Sequence, residues 1–208
     1  SSLSVILGDW RRVPAIAGDA DLVRDVEEMQ AEVQRCKAIV TSILLSSGDP
    51  RGEQSAATSV RALFDRVVAD WAAARDYAHL TYRDRFGDDV GIVSDVVLQQ
   101  AVFNLLDNAA EVSPSRIEVV LTRDDAALVL TVSDDGPGFA APQLADLGKP
   151  YNSSKDGLGR GLGLFLVANV ARKLGGGLAA ANRVGQPGAA VTLRLPMASI
   201  SLERGDDR

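Results

Sequence analysis

Cysteine, histidine and clustered basic residues are scarce in this sequence, and each shortage narrows the range of functions. The single cysteine, Cys36, cannot form an intrachain disulfide and fits a reducing compartment. The only histidine, His79, borders a predicted strand, where a surface position is more usual than a catalytic one. The net charge is −6 and no run of lysine and arginine is present, which argues against nucleic acid as the main partner. No apolar stretch approaches the roughly 18 residues of a membrane-spanning helix, and no signal-peptide pattern opens the chain.

The remaining composition is that of an ordinary globular protein with two parts. Hydrophobic residues make up 46% and charged residues 24% of 208 residues, enough for one large or two small domains. The chain begins within a helical apolar pattern, so we expect a longer protein with any membrane segment upstream and this part in the cytoplasm. Helix-breaking residues at 47–52 mark a boundary. The predicted organisation is a helical hairpin at 1–48, a linker at 49–54, a globular domain at 55–197 and a flexible tail at 198–208.

The first part has the pattern of two amphipathic helices. The first helix carries one apolar face as far as Val13, and Pro14 is expected to end it. Between about residues 20 and 46, apolar residues recur at alternating spacings of four and three, which is a heptad seam. One stripe on each of two antiparallel helices predicts a dimeric four-helix bundle, and the alternative is packing of the hairpin on the downstream domain. The seam comprises Leu22, Val26, Met29, Val33, Cys36, Val40 and Ile43.

The second part mixes helix and strand patterns. Amphipathic spacing predicts a helix from Ser59 to Arg75, and alternation predicts a strand at 79–86. Ser94 is placed to cap a second helix that runs to about Val112. Strands are predicted at 116–122, 127–133, 178–182 and 189–195, and a helix at 162–174. The expected inward side of this last helix is Leu162, Phe165, Leu166, Asn169 and Val170.

Two asparagines stand out in the helix that ends near Val112. Asn104 and Asn108 are four positions apart, so they share one side of an otherwise apolar helix. Asparagine is a mediocre helix former, so a pair in register needs a reason. Either the two are hydrogen-bonded polar residues at a helix–sheet edge, or they bind a ligand.

A long polar segment between two glycine clusters is the other conspicuous feature. Compact domains rarely carry a loop this long unless it is functional or disordered. Glycines that lead into a helix favour a phosphate ligand, because bare backbone N–H groups and the positive helix end attract anions. The segment therefore predicts a lid over a ligand that carries phosphate. Its glycine clusters are Asp134-Asp-Gly136-Pro-Gly138 and, at alternate positions, Gly157, Gly159, Gly161 and Gly163.

Three motifs in a fixed order carry a family resemblance. They are Asn104-Leu-Leu-Asp-Asn108-Ala, Asp134-Asp-Gly136-Pro-Gly138 and Gly159-Arg-Gly161-Leu-Gly163-Leu. Each motif is weak alone, but the set resembles the ATP-binding domain of sensor histidine kinases, in the Bergerat-fold superfamily of gyrase-, Hsp90- and MutL-type ATPases. The resemblance covers about 55–197, and the hairpin before it resembles the dimerisation and histidine-phosphotransfer domain of that family. It implies an α+β protein in which a helical hairpin is followed by a two-layer α/β sandwich.

The resemblance also implies a site for Mg²⁺ and ATP. Asp134 would accept a hydrogen bond from the adenine amine, and Asn108, with Asn104 one turn earlier, would bind Mg²⁺ at the phosphates. Tyr151 stands where the family usually has phenylalanine, with a role in lid closure. The basic residues Lys149, Lys155 and Arg160 would add charge at the phosphates, or lie in solvent. The expected ATP-binding residues are Asn104, Asn108, Asp134, Gly136, Gly138, Tyr151, Lys155, Gly159, Arg160, Gly161, Leu162 and Gly163.

The activity that the resemblance implies is that of a protein-histidine kinase in a two-component system. The γ-phosphate would pass to a histidine of the homodimer and then to an aspartate in the receiver domain of a response regulator. Related ATPases have a water-activating glutamate at the position of Asn104, and asparagine cannot act as a base near neutral pH, which favours transfer over hydrolysis. Ser1-Ser2-Leu3 resembles the end of the family's phosphoacceptor motif, so the acceptor is expected upstream of Ser1 and His79 does not replace it. The chain as given is therefore expected to bind ATP without phosphorylating itself.

Other functions stay open on the same residues. A catalytically inactive nucleotide-binding scaffold of the same fold is the main alternative. An ATPase or a serine kinase of the anti-sigma type is a third, against which the heptad hairpin and Asn104 both count.

The resemblance is strongest to the RegB/PrrB branch of redox-responsive kinases, through the glycine-rich stretch and Arg35-Cys36-Lys37. Cys36 is then either a small core residue of the seam or a redox switch that forms an intersubunit disulfide.

Overall fold

The computed structural model describes residues 10, 13–19, 21–30, 32–33, 36, 56–75, 79–94, 96–113, 115–145, 147 and 162–202. The predicted linker and most of the predicted lid lie outside these residues, as does the end of the heptad seam. Over the described ranges, no helix combines the length and apolar character that a membrane crossing requires.

The globular part is built on a five-stranded mixed sheet. Its spatial order is β2-β4-β5-β7-β6, in which β2 and β4 are parallel and every other neighbouring pair is antiparallel. The strands predicted from alternation are confirmed to within two residues at each end. Their bounds are β2 Leu80–Arg85, β4 Ile117–Asp124, β5 Ala127–Asp134, β6 Gly177–Asn182 and β7 Ala189–Pro196.

A separate two-stranded antiparallel sheet was not predicted from the sequence. It pairs β1, Ala56–Ser59, with β3, Gly91–Ser94. Ser94 is the last residue of β3, and the following helix begins at Val96. Residue 95 lies outside the described part, so the cap at Ser94 stays a prediction. Both strands have four residues, too few for an alternating pattern to be recognised.

Helices cover one face of the large sheet. They are α1 Val60–Arg75, α2 Val96–Val112 and α4 Leu162–Lys173, and a short helix without buried residues, α3 Ala141–Ala145, lies between α2 and α4 in the chain. α1 begins where it does because the Ser59 hydroxyl accepts a hydrogen bond from the Ala62 N–H, at 3.2 Å. The side chains predicted to face inward from α1 are confirmed as buried: Val60, Leu63, Phe64, Val67, Val68 and Trp71.

The core forms where these helices meet the inner face of the sheet. Along β4, Ile117, Val119 and Leu121 alternate with half-exposed neighbours and are fully buried. In α4 the inward side is rotated from the prediction, because Leu166, Val167, Val170 and Ala171 are buried whereas Phe165 and Asn169 are only half-buried. Since one face of each long strand is buried and the other is partly open, the architecture is a two-layer α/β sandwich.

The segment after Pro196 corrects the predicted tail. Residues Met197–Ile200 form a last short helix, α5, in which Met197 and Ile200 are buried. The Leu202 N–H donates to the Gly91 carbonyl at 3.0 Å, so the chain closes against β3. The sequence did not indicate this helix, because the segment is mostly polar and only Met197 and Ile200 are buried in the core. Residues 203–208 lie outside the described part.

Helical structure is also present near the N-terminus. Trp10 is helical and Val13 is not, which agrees with a first helix that ends just before Pro14. Pro14 then begins the single turn Pro14–Ala17, since proline is well suited to a first helical position. Residues 21–30 are helical, within the predicted second helix of the hairpin. Of the predicted seam, Val26 is buried, whereas Leu22 and Met29 are 43% and 45% exposed.

Candidate functional site

The site is centred on Asp134, the last residue of β5. Among the described residues it is the one polar or charged side chain that is buried, at 3% exposure. Its Oδ1 accepts hydrogen bonds from the Gly136 N–H at 2.9 Å and the Ala189 N–H at 3.2 Å. No hydrogen bond to Oδ2 is found in the described part of the chain. A buried carboxylate with one oxygen engaged by the backbone has its second oxygen available for a ligand N–H.

Two glycines after Asp134 are required by the packing of the loop on the protein. A Cβ atom on Gly136 would lie 2.6 Å from the Val112 carbonyl oxygen, at the end of α2. Gly138 has φ +77°, and a Cβ atom there would lie 2.7 Å from the Asn182 Oδ1. The motif therefore uses glycine to place the loop closely between α2 and the end of β6.

Asp135 ties the same loop to the end of α2. Its carboxylate accepts hydrogen bonds from the Ser113 and Ser115 hydroxyls, both at 2.5 Å, and from the Arg116 N–H at 3.1 Å. The Ser113 hydrogen bond, followed by that of Ser115, lowers the pKa of the Asp135 carboxyl well below its ordinary value. The neighbouring aspartates thus do different work, since Asp134 faces the interior and Asp135 holds the loop in place.

The two predicted asparagines lie on α2, the helix that this loop contacts. Both side chains are half-buried. The Asn104 Oδ1 accepts a hydrogen bond from Gln100 Nε2 at 3.2 Å, whereas the Asn108 side chain makes no hydrogen bond among the described residues. Asn108 precedes Val112 by one helical turn, and Val112 touches Gly136, so Asn108 lies one turn away from the Asp134 loop. Its side-chain oxygen is therefore the one of the pair that no hydrogen bond of the described residues occupies.

The first turn of α4 lies beside Asn104. A Cβ atom on Gly163 would be 3.9 Å from the Asn104 carbonyl oxygen. α4 has twelve residues, and its last turn carries Arg172 and Lys173. A helix N-terminus bears unpaired N–H groups and partial positive charge, which attract anions.

The described structure thus brings together two of the three predicted motifs and the end of the third, Leu162-Gly163-Leu164. Leu162 is the first residue of α4. The remaining predicted site residues, Lys149, Tyr151, Lys155, Gly159, Arg160 and Gly161, lie outside the described residues. Cys36 is exposed. Over the described residues, no group of three or more histidine, cysteine, aspartate or glutamate side chains is placed to hold a metal ion.

Sequence reasoning missed the contacts that hold Asp134 from the β6–β7 side. Asn182 exchanges two hydrogen bonds with the Phe139 backbone, and Arg183 Nη1 donates to the Asp134 carbonyl at 3.1 Å. These partners are 43 and 49 positions apart in the chain. An Asn-Arg pair at a strand end carries no pattern that indicates such contacts, so only the tertiary structure reveals them.

Comparison with known families identifies the domain that surrounds this site. The family described as "Histidine kinase-, DNA gyrase B-, and HSP90-like ATPase" matches residues 94–199. That range runs from the end of β3 to within α5 and includes Asn104, Asn108 and Asp134.

Individual relatives and solved structures agree with this match. Sporulation kinase B of Bacillus subtilis is 28% identical over 80% of this chain and 39% of its own length. Full-length ShkA, solved in complex with AMPPNP, shares the fold with a TM-score of 0.66 at 19% identity, over 96% of this chain and 43% of its own. The ATP-binding domain of PrrB from Mycobacterium tuberculosis has a TM-score of 0.52 at 25% identity, over 69% of this chain and 98% of its own. The chain spans less than half the length of the first curated relatives that it matches.

Proposed function

Because this chain belongs to the family of histidine kinase-, DNA gyrase B- and HSP90-like ATPases, we propose that it is the kinase core of a two-component sensor histidine kinase. It would bind ATP with Mg²⁺ and serve transfer of the γ-phosphate to a histidine, and then to an aspartate of a response-regulator receiver domain. The observation that carries the proposal is the buried carboxylate of Asp134, 3% exposed, beside the helix that bears Asn104 and Asn108.

The adenine end of the site would rest on Asp134. Its Oδ1 is fixed by two backbone N–H groups, so its Oδ2 is directed and can accept the adenine exocyclic amine. Guanine presents a carbonyl oxygen at that position, which a carboxylate repels. A buried, oriented acceptor therefore favours adenine.

The phosphate end would lie between α2 and the start of α4. Asn108, with Asn104 one turn earlier, would hold Mg²⁺, which supplies positive charge against the phosphates when bound. The N-terminus of α4, next to Asn104, would receive phosphate oxygens on its unpaired N–H groups. The glycines and basic residues at 149–161 belong to this proposal on the strength of their sequence pattern.

Several features favour transfer of phosphate over hydrolysis. Asn104 cannot accept a proton near neutral pH. Asp107, the acidic residue between the two asparagines, accepts a hydrogen bond from Trp71 Nε1 at 2.8 Å and pairs with Arg75, so it is directed away from the site. Sporulation kinase B is named as a kinase and covers 80% of this chain. We place the acceptor histidine upstream of Ser1.

We further propose that residues 1–48 form the homodimer interface. Leu22, Met29 and Cys36 belong to the predicted seam and are exposed in the single chain. A second copy packed on this seam would bury the apolar side chains. Cys36 would then approach its counterpart, which permits a redox-sensitive bridge, and the likeness to PrrB supports a place near the RegB/PrrB branch.

The deciding experiment uses a chain extended upstream through the acceptor motif and incubated with γ-labelled ATP. We expect label on the protein that is labile in acid and stable in base, as for phosphohistidine, and that moves to a receiver domain. ATP binding without label would identify the catalytically inactive scaffold instead.

The metal assignment has its own test in Asn108→Ala. We expect this substitution to abolish Mg²⁺-dependent ATP binding, because it removes the available amide oxygen of the pair. Binding is measured by calorimetry with and without Mg²⁺. Asn169→Ala, on the third turn of α4, is the matched control and should bind ATP normally. Unchanged affinity in Asn108→Ala would contradict the assignment.

A further inference from the structure

The hairpin between β6 and β7 grips both ends of the loop that follows β5. Asn182, the last residue of β6, accepts a hydrogen bond from the Phe139 N–H at 2.7 Å and donates one to the Phe139 carbonyl at 2.8 Å. Both bonds come from one planar amide, which presents a donor and an acceptor side by side. The contact therefore resembles one rung of a β-ladder formed by a side chain.

The other end of the loop is held from the same hairpin. Arg183 Nη1 donates to the Asp134 carbonyl at 3.1 Å, and the Ala189 N–H donates to the Asp134 Oδ1 at 3.2 Å. Gly188 has φ +106°, and a Cβ atom there would lie 1.9 Å from the Asp134 carbonyl oxygen. The hairpin itself is closed by a hydrogen bond from the Arg183 N–H to the Gly188 carbonyl, at 3.0 Å. We call Asn182, Arg183, Gly188 and Ala189 the hairpin clamp.

The clamp contacts Asp134 and Phe139 but leaves Asp134 Oδ2 untouched. Its contacts fix the backbone at both ends of residues 134–139 and one oxygen of the carboxylate. A hydrogen-bond acceptor discriminates between ligands only when its position and direction are fixed. The position and direction of Asp134 Oδ2 thus depend on the clamp, although the clamp forms no hydrogen bond with that oxygen itself.

We propose that Asn182 is a positioning residue that sets the preference of this site for adenine, acting through the Asp134 loop. The inference rests on the proposed function, since it concerns how the adenine-binding carboxylate is held. Arg183 supports the same carboxylate from its backbone side. Substitution of Asn182 should weaken ligands that carry the exocyclic amine and spare those that lack it.

The test compares ADP with inosine diphosphate, which carries an oxygen in place of the adenine amine. Dissociation constants for both are measured by calorimetry on the 208-residue chain and its Asn182→Ala variant. We expect the affinity for ADP to fall about tenfold, which corresponds to one oriented hydrogen bond. The affinity for inosine diphosphate should change less than about twofold, so that the ratio of the two constants narrows.

Two further variants keep the result interpretable. Gln186 lies in the same hairpin, and its side chain makes no hydrogen bond among the described residues. Gln186→Ala should therefore leave the dissociation constants of both nucleotides unchanged. Asn182→Asp keeps the acceptor for the Phe139 N–H and loses the donor to its carbonyl, so its ratio should fall between those of the unsubstituted chain and Asn182→Ala. If Asn182→Ala shows no thermal unfolding transition and is therefore not folded, Asn182→Asp serves as the variant on which the ratio is measured.

The outcomes separate the two levels of inference. An unchanged ratio in Asn182→Ala and Asn182→Asp, or an equal loss for both ligands, would overturn the role of Asn182 and leave ADP binding intact as the proposed function. If the unsubstituted chain binds neither ligand, the proposed function fails, and this inference fails with it. A narrowed ratio with an unchanged melting temperature supports the assignment.

Discussion

At the scale of single residues, neighbouring aspartates show how burial divides their roles. Asp134 is buried and hydrogen-bonded to the backbone through one oxygen. Asp135 is partly exposed and collects the Ser113 and Ser115 hydroxyls. The Oδ2 atom of Asp134 is therefore available for a ligand. Asp135 instead forms a bracket, in the sense that its hydrogen bonds join the loop to the end of α2.

The bracket formed by Asp135 predicts a pH-dependent contribution to stability. Its pKa in the folded protein is lowered, chiefly by Ser113, from the value of about 3.9 expected in the unfolded chain. Stability from a carboxyl with a lowered pKa is present above the unfolded value and is lost as the pH falls through the folded value. Asp135→Asn should therefore be less stable than the unsubstituted chain near neutral pH, and the difference should narrow below about pH 4.

Urea unfolding followed by circular dichroism, repeated from neutral pH downward, measures this difference. Asp125→Asn is the control, because Asp125 is exposed at the β4–β5 turn and its carboxylate has no hydrogen bond among the described residues. A constant difference between Asp135→Asn and the unsubstituted chain at every pH would show that the Asp135 charge does not matter.

Some of these residues can be predicted from local motifs, whereas the roles of the others depend on contacts between distant parts of the chain. Asp134, Asn104 and Asn108 are predicted as site residues because each belongs to a short motif that carries its own chemical meaning. Asn182 and Arg183 were missed, because their partners lie more than 40 positions away and the pairing of β6 with β7 decides which loop they reach. The close approach of Gly136 to the Val112 carbonyl is also a tertiary contact that the sequence does not show.

At the scale of elements, a cluster of three side chains joins α1 to α2. Trp71 is fully buried, and its Nε1–H donates to Asp107 at 2.8 Å. Arg75 pairs with the same carboxylate, and its guanidinium carbon lies 4.9 Å from the centre of the Trp71 ring. Since Asp107 is adjacent to Asn108, this cluster holds the helix that carries the proposed metal ligand.

Removal of Asp107 should weaken the junction between α1 and α2. Asp107→Ala deletes the acceptor of a buried indole N–H and the partner of Arg75, so we expect a loss of about 2 kcal/mol in the free energy of unfolding. Arg194→Ala is the matched control, because Arg194 and Asp124 form a pair about half exposed on both sides. It should cost less than about 1 kcal/mol. Equal losses in urea unfolding would contradict a special role for the cluster.

Element prediction succeeded where a periodic pattern ran long enough to be read. The buried face of α1 and the alternation of β4 both follow from spacing alone. The strands β1 and β3 are too short for that, and their pairing depends on the chain returning after β2. The helix α5 was missed because two buried residues, Met197 and Ile200, outweigh its polar surroundings.

At the scale of the whole molecule, the main hydrophobic cluster, as far as the structure describes the chain, draws only on the globular part. Every residue of its main hydrophobic cluster lies between Val60 and Ile200. The exposed seam residues, by contrast, belong to the segment before it. The proposed nucleotide site and the proposed dimer interface therefore belong to separate parts of the chain.

This separation predicts that dimerisation can be removed without loss of nucleotide binding. The 208-residue chain should elute in light-scattering chromatography at twice its mass of 21.9 kDa, whereas residues 55–208 should elute as a monomer that binds ADP with the same affinity.

Met29→Arg should dissociate the dimer, because it places a charge on a seam position that is 45% exposed in the single chain. Glu28→Arg introduces the same side chain one position away from the seam, on an exposed residue, and should leave the dimer intact. A monomeric 208-residue chain would show that the seam faces something other than a second copy, and equal dissociation by both variants would show that charge rather than seam position controls association.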